Sequence, residues 1–171
     1  MDNNYPAKLL QRMRDFEYGL FSLKYNKPIL INDPKFDEVT SSNEFRVLQP
    51  NELDKYKVGT CWEKTLYAYY NLTKQNYKCN FIYVKTINES LHHTTVIFKD
   101  IDGLYWFESA WDKHFGVNKI NNVLDILSKY NENIRKLIMY NPNVNAIKLL
   151  NNYNLDPYTF VRVCEESLVI H

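Results

Sequence analysis

At 171 residues and 20.5 kDa, the chain has the length of one domain. Its 45% hydrophobic and 24% charged residues exclude a disordered class. The balance of 21 basic and 20 acidic residues, a formal charge of +1, leaves no basic footprint for nucleic acid and no charge excess for a membrane surface.

The start, MDNNYPAKLLQRMRDFEYGL, lacks the basic-then-apolar order of a signal peptide, and no apolar run approaches the roughly 20 residues of a membrane span. Cys61, Cys79 and Cys164 form neither a CxxC pair nor a zinc-ligand cluster. Reduced thiols in a cytoplasmic protein are therefore expected. Only 4 glycines occur, at positions 19, 59, 103 and 116, so each is informative about the backbone around it.

Leu10, Met13, Phe16, Glu17 and Leu20 recur at helical spacing and predict a helix over residues 7–24. Residues 26–58, punctuated by Pro28, Pro34 and Pro50, read as irregular, with short extended pieces at 28–31 and 44–48. The clearest helix covers 59–75. Thr60 is its N-cap, Cys61 its first residue, and Glu63 completes a T-x-x-E capping box. Trp62, Leu66, Tyr69 and Tyr70 form an apolar stripe, and Cys61, Thr65 and Ala68 a stripe of small residues that lets a sheet approach closely. Three runs rich in β-branched and aromatic residues follow, CNFIYVKT (79–86), HHTTVIFK (92–99) and LYWFE (104–108). INESL and DIDG join them as hairpins. Helical patterns return at 121–130, 143–152 and 157–167, with a short strand at 137–140. The order predicts a single α+β domain over 1–171, with a core at about 45–117 and a C-terminal helical part at about 118–171.

A helix N-terminus carries about half a positive charge and free N–H donors, which favour a thiolate and can hold an oxyanion. Cys61 is thus the candidate nucleophile. A nucleophilic thiol needs a base, and His93 on the middle strand is the candidate. Alternation sends its neighbour His92 to the other face, so only one of the two can face the helix of Cys61. His114 and His171 are poorer placed.

The acid that would orient the imidazole depends on the hairpin register. A four-residue DIDG loop pairs Lys99 with Leu104 and puts His93 and Glu108 on one diagonal. A two-residue Asp102-Gly103 turn instead brings Asp112 opposite His93. Trp111, just past the strand, is a candidate for lining a substrate cleft; Trp62 and Trp106 read as core.

GTCWEK, HHTTVIF and GLYWFESAW, in that order, resemble the transglutaminase-like superfamily of papain-like thiol enzymes. The likeness covers about residues 45–117. It implies a nucleophile helix packed on an antiparallel sheet, with the acid 15 residues after the histidine, the distance from His93 to Glu108. Three positions depart from the pattern: Glu108 stands where Asp is usual, Ser109 where Pro often follows, and Thr95 where Trp is common. The resemblance implies a thiol-dependent acyl-transfer enzyme acting on amide bonds of a peptide or protein: a peptidase, deamidase or transglutaminase. It needs no metal or organic cofactor and no nucleic-acid or membrane partner. The rival expectation is a non-catalytic module that keeps the cleft and binds a peptide or partner protein.

Overall fold

The computed structural model describes residues 4–86, 92–129 and 134–140. The described chain is α+β, with helices packed on two antiparallel sheets. Helix α1 (Tyr5–Met13) takes Pro6 in its first turn and buries Pro6, Leu9 and Met13. It stops well short of residue 24. Gly19–Ser22 is instead a fully buried strand, β1, which pairs antiparallel with β2 (Lys27–Leu30) and with β3 (Phe45–Arg46). The helical spacing of Phe16, Glu17 and Leu20 is overridden by tertiary pairing. The Glu17 N–H donates to the Lys57 carbonyl at 2.8 Å, and the Gly59 N–H donates to the Glu17 carbonyl at 3.2 Å. Gly19 lies under that junction. A Cβ there would sit 2.5 Å from the Ile29 carbonyl oxygen and 2.8 Å from Val58 Cγ1, so the close approach of strand and loop requires glycine.

The stretch expected to be irregular contains two further helices, α2 (Phe36–Ser42) and α3 (Pro50–Tyr56). Pro50 opens α3 rather than breaking structure, because the first helical position has no use for an N–H. Gln49 and Glu52 form a capping box around it, and Arg46 holds the Glu52 carboxylate in two bonds of 2.9 and 2.6 Å.

Helix α4 (Cys61–Lys74) has the expected Thr60 cap and Glu63 capping box. Thr65, Ala68 and Leu72 are buried along it. The aromatic stripe differs from the expectation. Tyr70 is 43% exposed, while Tyr67, outside the stripe, is fully buried. Its hydroxyl donates to Asp54 Oδ1 at 2.6 Å, and its ring meets Phe16 edge-on at 5.3 Å.

The larger sheet has the order β7-β6-β5-β4-β8. Its strands are β4 (Lys78–Thr86), β5 (His92–Asp100), β6 (Gly103–Glu108), β7 (Gly116–Ile120) and β8 (Ile134–Tyr140). β7 falls in a stretch assigned to no strand from the sequence. The helix expected over 121–130 shrinks to α5 (Leu124–Leu127), because Asp125 Oδ2 accepts the Asn121 and Asn122 N–H groups and Asn122 caps Leu124, making a turn of the first residues. The helices expected at 143–152 and 157–167 lie outside the described residues.

The β5–β6 hairpin settles the register. Lys99 faces Leu104 and Asp100 faces Gly103 across a turn of Ile101 and Asp102. Gly103 adopts φ +152°, which suits glycine at the strand entry. Strand alternation divides the core. Val96, Phe98 and Phe107 pack with Tyr67, Ala68 and Leu72 of α4. Ile82, Val84, Ile97 and Trp106 pack on the other face with Ile120 and Ile126.

Candidate active site

Three element ends converge. Cys61 is the first residue of α4, His93 the second of β5 and Glu108 the last of β6. The capping box fixes the first of them. The Trp62 N–H donates to the Thr60 hydroxyl at 3.3 Å, and the Thr60 N–H donates to Glu63 Oε2 at 3.0 Å. The Thr60 hydroxyl also donates to Glu63. Glu63 is 3% exposed, and burial pushes its carboxyl above the ordinary range against these donors.

His93 Nε2 lies 2.8 Å from Glu108 Oε2. Glu108 is fully buried, and its other oxygen, Oε1, accepts the N–H groups of Ala110 at 2.9 Å and Trp111 at 3.0 Å. A carboxylate only accepts, so Nε2 carries the ring proton. The His93 ring is also hydrogen-bonded to the Cys61 side chain. With Nε2 occupied, Nδ1 is the nitrogen left to meet the thiol. Burial lowers the His93 pKa, but the Glu108 carboxylate and the Cys61 side chain outweigh it and raise it from 6.5 to about 10.

The acid beside the imidazole is therefore Glu108. Asp112 begins a short 3-10 turn (Asp112–His114) and is exposed; its charge acts on Lys64. Trp111 meets the His93 ring edge-on at 6.1 Å and the His114 ring at 4.3 Å, so it is braced between two imidazoles. Trp106 is buried, while Trp62 is only half-buried. Thr95 accepts from Trp106 Nε1 at 2.8 Å and donates to the Phe107 carbonyl at 2.7 Å. It thereby satisfies the buried indole N–H.

Two site residues escape the sequence reading. Lys64, one turn along α4, is 5% exposed. Its Nζ donates to the Phe16 carbonyl at 2.7 Å and lies 5.8 Å from the Tyr18 ring centre. Burial lowers its pKa, opposed by Asp112, Cys61, Glu108 and Glu63. Tyr18 is the second. Its hydroxyl accepts the Cys61 backbone N–H and is hydrogen-bonded to the Cys61 side chain. The signal for it was Gly19 beside it, a rare glycine inside a helical pattern.

Cys61 and Cys79 are free thiols, and Cys164 lies outside the described residues. Burial pushes the Cys79 thiol up to about 12. Among the described residues no group of three or more His, Cys, Asp or Glu side chains is gathered to hold a metal, and no helix is long and apolar enough to cross a membrane. The arrangement sets an imidazole beside a thiol, with the other ring nitrogen held by a carboxylate, and so suits proton transfer between the two. Compared with known proteins, the chain matches no family model and no curated protein.

Proposed function

We propose that this chain is a thiol-dependent acyl-transfer enzyme acting on amide bonds, built on a papain-like, transglutaminase-like core. The observation that carries the reading is the imidazole of His93 held between Glu108, at 2.8 Å, and Cys61 at the start of α4. Cys61 Sγ attacks the carbonyl carbon with its proton held on His93 Nδ1, as the raised His93 pKa favours. His93 returns that proton to the leaving amine, giving an acyl-enzyme. Glu108 keeps the ring proton on Nε2 and stabilises the imidazolium. Water as the second acceptor makes a peptidase or deamidase; an amine makes a transglutaminase. Trp111, edge-on to His93, lines the approach of a peptide or protein substrate. Free thiols at Cys61 and Cys79 suit the reducing cytoplasm.

The test is alkylation of the native protein by iodoacetamide across pH, with mass mapping of each cysteine. Cys61 should label faster than Cys79 and Cys164 at neutral pH, and Cys61→Ala should abolish acyl transfer with the fold retained. Equal labelling of the three, or full protection of Cys61, refutes the assignment and favours a binding module.

A further inference from the structure

Residues 16–19 are strapped across the start of α4. Glu17 forms a parallel bridge with Val58, its backbone bonds to Lys57 and Gly59, and the Phe16 carbonyl accepts from buried Lys64. Gly19 is pressed against Val58. These contacts fix Tyr18 beside the last residues before Cys61. Its hydroxyl bonds both the N–H and the side chain of Cys61.

We infer that Tyr18 is a catalytic residue: its hydroxyl is the second donor, beside the Cys61 N–H, to the oxyanion formed when Cys61 attacks a carbonyl. This inference rests on the acyl-transfer reading above. When Sγ bonds the carbonyl carbon, the carbonyl π pair moves onto oxygen and the thiol proton is held on His93 Nδ1. That oxygen must settle within about 3 Å of fixed donors. A group already bonded to both Cys61 N–H and Cys61 side chain stands at the edge of that position. The incoming oxygen takes the N–H from the phenol, and the phenol turns its own O–H onto the oxygen. Charge state decides whether this works, because a phenolate would repel an oxyanion. Burial, then its neighbours Cys61 and Glu63, push the Tyr18 pKa well above 10. The hydroxyl is therefore a neutral donor throughout the working range.

Two reagents separate the role. Iodoacetamide alkylates a thiol by displacement and develops no oxyanion. 4-Nitrophenyl acetate acylates it through a tetrahedral oxyanion, whose collapse returns the pair and expels 4-nitrophenolate. Tyr18→Phe should slow single-turnover acylation of Cys61 about 10²- to 10³-fold, at least tenfold more than it changes alkylation, which feels only the lost hydrogen bond to the Cys61 side chain. Tyr18→Met, which also lacks a donor, gives the same comparison should the phenylalanine variant not fold. A parallel loss in both reactions would mean that Tyr18 acts on the thiol, and would overturn the inference. So would acylation that is unchanged or faster, the mark of a hydroxyl that only covers the nucleophile. Wild-type Cys61 that alkylates but is never acylated defeats the acyl-transfer reading itself, a separate result visible before any variant is made.

Discussion

Glu108→Gln keeps shape and volume at a fully buried position and changes one acceptor into a donor. The carboxylate accepts three bonds, from His93 on Oε2 and from Ala110 and Trp111 on Oε1. A glutamine can aim its oxygen at only one side. Turning the NH₂ onto the two half-buried backbone N–H groups takes the acceptor from both, at up to about 1–3 kcal/mol each. The oxygen therefore stays with Ala110 and Trp111, and the NH₂ faces His93 Nε2. That nitrogen must then accept, so the ring proton moves to Nδ1 and points at Cys61. The imidazole can no longer receive the thiol proton. Losing the charged hydrogen bond alone costs roughly 1.5–3 kcal/mol, about 10- to 100-fold in the imidazolium population.

A wrong tautomer costs on the order of 10⁴ in a serine triad, and a thiol depends on its base less. Acyl transfer by Glu108→Gln should fall by about 10²- to 10⁴-fold, with the melting temperature shifted only a few degrees because every backbone donor keeps its partner. Single-turnover acylation of Cys61 measures the rate, and ¹⁵N shifts of the His93 ring report which nitrogen holds the proton. A glutamine variant as active as wild type, or one whose ring proton stays on Nε2, refutes the reasoning.

His93→Ala should lose acyl transfer nearly as completely as Cys61→Ala, whereas His92→Ala should keep it within about threefold, because neighbouring strand residues point to opposite faces; steady-state kinetics of the three variants decide this. The raised His93 pKa carries a stability signature: its contribution is fully present below 6.5 and is lost as pH rises through about 10. Urea unfolding from pH 6 to 10 should therefore show the stability advantage of wild type over His93→Ala shrinking as pH rises, and a constant difference refutes it. Thr60→Ala should destabilise the protein by about 1 kcal/mol through loss of the α4 cap, measured by the same unfolding curves.

The sequence was most legible where local chemistry and tertiary structure agree. Thr60 and Glu63 announce the start of α4 because a capping box is read within four residues. β4, β5 and β6 announce themselves by β-branched and aromatic runs, and Gly103 marks their hairpin. Legibility ended where long-range contacts set local conformation. Phe16, Glu17 and Leu20 fit a helix by spacing, yet Glu17 is bound to Lys57 and Gly59, some forty residues on. Tyr18 reaches Cys61 only through that junction, so Gly19 beside it could mark the break in the helical pattern but not the partner. The prolines of 26–58 misled for a different reason: Pro50 opens a helix as readily as it ends one. The choice between Glu108 and Asp112 hung on a register that two turn geometries left open, and the pairing of Lys99 with Leu104 decides it.

Alternation also explains why the site lies at the end of the sheet. His93 shares the parity of Thr95 and Ile97, and Ile97 packs on the face turned away from the body of α4. Facing the helix is not what brings His93 to Cys61. In mid-sheet, the strand itself would stand between imidazole and thiol. The two meet where His93 is one residue from the start of β5 and Cys61 is the first residue of α4. Glu108 makes that end: Oε2 holds His93, while Oε1 gathers the N–H groups of Ala110 and Trp111 and turns the chain off β6. The same carboxylate thus orients the base and builds the corner that sets Trp111 against it. An acid that only oriented the base could be moved to Asp112 without loss; one that also folds the corner cannot, which ties both jobs to the last residue of β6.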